Sequence, residues 1–147
     1  VTVDLFIPCL TDQLFPRSGM NMVCVLERLG ISVRYDPAQT CCGQPAFNSG
    51  YRDDARFLAR RFIDLFSNAD YVVAPSGSCV TMVKVFYPGL FEQGDEYRER
   101  ATSLAKRVHE FTSFLVDVVG VADVGAVFPG KVALHESCHG LRELGIQ

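Results

Sequence analysis

The chain has 147 residues, 48% of them hydrophobic and 21% charged, with a formal net charge of −3. That composition fits one ordinary folded domain and excludes a disordered or fibrous chain. The acidic balance leaves no basic stripe to neutralise phosphates, so nucleic acid is not an expected partner. No apolar run nears the ~20 residues of a membrane span, and the N-terminus lacks the pattern of a secretory signal. A cytoplasmic protein with no membrane span is the expectation. The chain opens on Val1 and stops at Gln147, just past a helix start, which reads as a piece of a longer protein.

In chain order, Val3-Asp4-Leu5-Phe6-Ile7 is a short apolar run that predicts a buried strand ending at Pro8-Cys9. Leu14, Met20, Val23, Leu26 and Leu29 follow helical spacing from Asp12, the expected N-cap, to Leu29, with Gly30 just past the end. Ile31 to Tyr35 alternates and predicts a second strand, followed by a loop carrying Cys41-Cys42-Gly43. Tyr51 to Phe66 is strongly amphipathic, with Ala55, Leu58, Ala59, Phe62, Ile63 and Phe66 on one face. Tyr71 to Ala74 predicts a third strand stopped by Pro75. Ser76-Gly77-Ser78-Cys79 then enters a helix that breaks at Pro88. Residues 89–100 are polar and show no period, whereas 109–119 predicts a helix with His109 at its exposed head. Val132-Ala133-Leu134 predicts a fourth strand, followed by His135-Glu136-Ser137-Cys138-His139. Strands alternating with helices predict an α/β fold with a mostly parallel sheet and flanking helices.

Six cysteines are too few for a disulfide scaffold, and no C-x-x-C is present, so neither a zinc ribbon nor a thioredoxin-like motif is indicated. The vicinal pair Cys41-Cys42 is the unusual feature. Neighbours in extended chain point to opposite faces, so two adjacent cysteines do not both serve as core residues. If the strands are parallel, Cys9 after the first, Cys41 and Cys42 after the second and Cys79 after the third all reach one carboxyl edge. That is where open α/β sheets place ligands. Cys24, mid-helix beside Val23 and Val25, is expected to pack in the core. Ser76 and Ser78 are expected to cap the following helix. No Ser/His/Asp arrangement, G-x-G-x-x-G or phosphate-binding loop is present.

Cys9, then 31 intervening residues, Cys41-Cys42-Gly43, and Cys79 after a further gap resemble the cysteine-rich CCG family. That family includes the cysteine-rich subunit of heterodisulfide reductase and the iron–sulfur subunits of glycolate and lactate oxidation. Cys41 to Tyr51, Pro75 to Cys79 and His135 to His139 are most similar to its lactate utilisation protein A branch. The resemblance implies a Rossmann-like CCG domain over residues 1–125. It also implies the start of a second, truncated copy over 126–147, in which Val132-Ala133-Leu134…Cys138 echoes Val3-Asp4-Leu5…Cys9. It further implies an iron–sulfur cluster, [4Fe-4S] being the form that four thiolates suit, held by Cys9, Cys41, Cys42 and Cys79. Cys138 and His139 are secondary candidate ligands. Ser76 stands where the full family pattern has a cysteine.

The function so implied is electron transfer, as an oxidoreductase subunit acting with other iron–sulfur subunits in converting L-lactate to pyruvate. Glycolate is the alternative substrate system. Two other uses of the same thiols fit the residues: a structural zinc module, and a thiol–disulfide redox protein using the vicinal Cys41-Cys42 pair or Cys9 with one of them.

Overall fold

A computed structural model describes residues 1–135 and 137–146. Its core is a four-stranded, wholly parallel sheet of β1 (Thr2–Leu5), β2 (Ser32–Tyr35), β3 (Val72–Ala74) and β4 (Val108–Glu110), in the order β2-β1-β3-β4. The α/β expectation holds. Parallel strands need crossovers, and helices supply them: α1 (Cys9–Leu14) and α2 (Pro16–Arg28) before β2, α3 (Gln44–Asn48) and α4 (Arg52–Leu65) before β3. A longer helical run precedes β4. It comprises α5 (Gly77–Thr81), a π-helical turn at Met82–Phe86, a 3₁₀ turn at Tyr87–Leu90 and α6 (Glu96–Ala105). After β4 come α7 (Phe111–Ser113), a second π-helical turn at Phe114–Val119 and, near the C-terminus, α8 (Cys138–Glu143).

Both faces of the sheet are covered, as buried parallel sheets require. Phe6, Val72, Ala74 and Val108 meet Ala59, Phe62 and Ile63 of α4 and Met82 and Val83 beyond α5 on one side. Val3, Leu5 and Val73 meet Met22 and Leu26 of α2, with Phe114 and Leu115, on the other. Adjacent Val72 and Val73 thus serve opposite layers, the period of two at work. On the outer edge of β4, Lys84 Nζ donates to the Val108 carbonyl at 3.0 Å, while Arg107 turns its carbonyl inward to the Val72 N–H.

Several sequence expectations are corrected. The helix expected from Asp12 to Leu29 is two helices, because Pro16 drives Phe15 out of helical backbone (φ −133°, ψ 48°) and itself opens α2. Asp12 consequently lies inside the first turn of α1, and Pro8 occupies the N-cap. Cys24 is exposed. It points away from the face on which α2 buries Gly19, Met22 and Leu26. His109 belongs to β4 rather than a helix head and is half-buried between Tyr71 and Phe114, with ring centroids 5.9 Å from each. Residues 131–135 form no strand, and Val132 and Leu134 are exposed; the strand beside β3 is β4. Glu96–Ala105 is a helix that the mixed polar sequence concealed, because it buries only Ala101 and Leu104 and is started by Asp95 accepting from Tyr97 N–H.

Candidate functional site

The direction of the chain reverses about β1: the first crossover leads to β2 on one side, the second to β3 on the other. This switch point is where open α/β sheets form ligand crevices. Cys9 opens α1 directly beyond β1, Cys41 and Cys42 lie between β2 and α3, and Cys79 sits in α5 just beyond β3. The four thiols thus meet at the crevice. Cys9 Sγ donates to Cys41 Sγ at 3.6 Å, and Cys42 lies close enough to Cys41 and Cys79 to perturb the proton affinity of both. Cys42 and Cys79 are buried, at 2% and 9% exposure, whereas Cys9 and Cys41 are half-buried and form the outer rim.

Local geometry explains how these loops are held. Gly43 adopts φ +81°, and a Cβ there would sit 3.3 Å from that of Leu58, so the CCG glycine is demanded both by backbone and by space. Its N–H donates to Cys41 Sγ at 3.4 Å. Gln39, two residues before the pair, accepts from Ile7 N–H at 2.7 Å and donates to the Leu5 carbonyl at 3.1 Å. It ties the Cys41 loop to the end of β1, beside Cys9. Beneath the site, fully buried Tyr87 donates to the Cys42 carbonyl at 2.8 Å. Sequence reading missed Gln39 and Tyr87; the only signal was a polar residue close before the vicinal pair, and a tyrosine in an otherwise apolar run.

The electrostatics alternate from sulfur to sulfur. Hydrogen bonding from Cys42, opposed by burial and aided by Gly43 N–H and Cys9, lowers Cys41 to about 5. Cys79 is lowered to about 7, by Cys42 first and then, against burial, by the Ser76 and Ser78 hydroxyls. Cys42 moves far upward, because its proton is shared with Cys41 and Cys79 and because it is buried. Burial, then Cys41, raises Cys9. With one S–H, Cys42 serves only one of its two neighbours at any instant. The first proton is therefore lost from Cys41 or Cys79, whichever the Cys42 thiol faces, and Cys42 itself stays protonated. Burial raises the Tyr87 hydroxyl well above its ordinary value, keeping it a donor.

Ser76 and Ser78 do not cap α5 through their side chains; their hydroxyls lie 3.3 Å apart, and both lower the Cys79 pKa. Cys138 stands exposed at the first turn of α8, and His135 is exposed in irregular chain. His139 Nδ1 lies 3.1 Å from the Gln44 side-chain amide, which also donates to the Ser78 carbonyl at 3.2 Å. Glu136, in the middle of that motif, lies outside the described residues. Among the described residues, no three His, Cys, Asp or Glu side chains stand ready-grouped around a metal position. The four thiols face one another in pairs. Their chemistry nonetheless suits a thiophilic group: four soft sulfurs, two with depressed proton affinity, and N–H and O–H donors already aimed at sulfur.

The cysteine-rich domain model named CCG matches residues 3–84, from β1 to the turn after Cys79. The chain belongs to this family. Lactate utilization protein A of Oceanobacillus iheyensis is 48% identical over 99% of the chain and 59% of its own length. The protein of that name from an Exiguobacterium strain is 49% identical, over 99% of the chain and 60% of its own length. Lactate utilization protein A 2 of Bacillus cereus is 43% identical, over 99% and 60%. The chain thus spans about three-fifths of the length of these relatives. No solved structure matches it. No helix among the described residues is long and apolar enough to cross a membrane.

Proposed function

We propose that the protein is an electron-transfer subunit of a lactate utilisation system, with Cys9, Cys41, Cys42 and Cys79 holding an iron–sulfur cluster. The observation that carries this reading is the meeting of four thiols, from three separate loops, at the switch point of a parallel sheet. The naming of its relatives points to lactate. When bound, such a cluster supplies one-electron transfer at the edge of the sheet. The chain's own part is to deliver thiolates and to hold them. Cys41 and Cys79 give up their protons first; Cys42 must lose its proton for all four sulfurs to bind. Gly43 N–H stays hydrogen-bonded to Cys41 Sγ, and the nearby Ser76 and Ser78 hydroxyls favour charge on Cys79.

On this reading the protein works in the cytoplasm with other iron–sulfur subunits of an L-lactate-oxidising complex, and residues 126–147 begin a second cysteine-rich copy. The deciding experiment is anaerobic purification of the full-length protein beside a Cys41→Ser/Cys42→Ser variant. Iron, acid-labile sulfide and zinc are assayed in both. Broad visible absorption and labile sulfide in the wild type, lost in the variant, is the expected result. A colourless protein with stoichiometric zinc overturns the cluster. Failure of the wild-type gene to restore growth of a deletion strain on L-lactate, with restoration on glycolate, overturns the substrate.

A further inference from the structure

We infer that Cys9 and Cys41 form a reversible oxidation site: when the four thiols carry no metal or cluster, hydrogen peroxide joins these two as a disulfide and leaves Cys42 and Cys79 as thiols. This goes beyond the cluster reading and does not depend on it.

Cys9–Cys41 is the sulfur pair in direct contact, at 3.6 Å; Cys41–Cys42 and Cys42–Cys79 are the neighbouring alternatives in the crevice. Access separates them. Cys42 and Cys79 are buried beneath the rim, whereas Cys9 and Cys41 are partly open to solvent. Geometry separates them again. Cys41 and Cys42 are sequence neighbours, and bridging them would strain the peptide between them. Cys9 and Cys41 belong to different loops, their sulfurs are 3.6 Å apart, and Gln39 already ties those loops together. The sulfurs have to close from 3.6 Å to the ~2.0 Å of a disulfide.

The chemistry balances. Cys41 Sγ, toward which Gly43 N–H and the Cys9 thiol both point, attacks one oxygen of the peroxide. The O–O bond breaks, the departing hydroxide takes up the proton that Cys41 gives up and leaves as water, and Cys41 becomes a sulfenic acid. Cys9 then attacks that sulfur, the S–O bond breaks, and the Cys9 proton leaves with the hydroxyl as water. Two thiols are oxidised by two electrons and one peroxide is reduced. A dithiol reductant reverses the step by exchange. The outcome for the protein is a sealed rim: two of four thiols are withdrawn from metal binding and protected from irreversible oxidation.

The test treats anaerobic, chelator-stripped full-length protein with one equivalent of hydrogen peroxide, then alkylates, digests and maps peptides by mass. The expected product lacks two hydrogens and links the Cys9 and Cys41 peptides, with Cys42 and Cys79 alkylated after denaturation. Cobalt(II), read by its thiolate charge-transfer band, binds before treatment, fails after it, and binds again after dithiothreitol. A Cys9→Ser variant instead retains Cys41 with one added oxygen, trapped as its dimedone adduct. A cross-link that maps to Cys41–Cys42 or Cys42–Cys79, or free Cys9 and Cys41 after treatment, overturns the inference. Cobalt that binds at no stage, with the Cys9–Cys41 link present, counts against the metal site and leaves the disulfide standing.

Discussion

The Gln39 side chain bridges to Ile7: its Oε1 accepts from the Ile7 N–H at 2.7 Å while its Nε2 donates to the Leu5 carbonyl. An amide side chain thus extends the hydrogen-bonding pattern of β1 by one rung past the end of β2, and it does so two residues before Cys41. Replacing it removes both bonds and leaves a main-chain donor of Ile7 without its partner.

Gln39→Ala is therefore expected to lower stability by about 1–2 kcal/mol, the range for losing such bonds in a half-buried setting. Urea unfolding of the variant checks this. Alkylation of Cys41 should also become faster, since the loop that carries it loses its tie to β1.

Gly43→Ala meets two obstacles, a left-handed backbone and the Leu58 side chain at 3.3 Å. The backbone term alone is roughly 1–2 kcal/mol. A fall in thermal midpoint that Gly43→Asn partly recovers would identify the backbone as the larger cause, because Asn tolerates that conformation better than Ala.

Thr81 is fully buried, and its Oγ1 has no hydrogen-bond partner among the described residues. Thr81→Val keeps the shape and removes the stranded hydroxyl. The expected change is a gain of about 1 kcal/mol, since an unsatisfied buried polar group is costly to keep. A loss in urea stability would show that the hydroxyl has a partner in solution.

Burial lowers the His109 pKa, Lys84 adding to the effect and Asp117 opposing it. The folded state then holds this imidazole neutral at pH values where the unfolded chain protonates it. Stability is full above the unfolded value near 6.5 and falls as pH drops through it toward the lower folded value. Urea midpoints from about pH 7.5 to 5.5 should decline more steeply for the wild type than for His109→Gln.

Much of this architecture was legible. Val3 to Ile7, Ser32 to Tyr35 and Val72 to Ala74 carry strand chemistry, and the parallel arrangement follows from the helices between them. Placing Cys9, Cys41, Cys42 and Cys79 on one edge needed only that inference. What the sequence hid were elements whose identity is decided by neighbours. Val108-His109-Glu110 has one apolar residue and no period, yet the space beside β3 makes it a strand. Val132-Ala133-Leu134 has the better strand pattern and is left exposed. Cys24 has apolar neighbours in sequence, but the helix turns it to solvent. Pairing among the thiols was equally invisible, because it depends on Gln39 and Gly43 fixing loop positions that spacing alone does not determine.

The order of the thiols along the chain has a consequence for synthesis. Cys9, Cys41 and Cys42 emerge from the ribosome well before Cys79, and β3, which packs against β1 and leads into α5, emerges just ahead of it. Until then the nascent chain carries three of the four crevice thiols, and one flank of β1 is bare. On the proposed cluster reading, the four-thiol set is complete only once the third strand has joined its neighbours, so loading would follow that step.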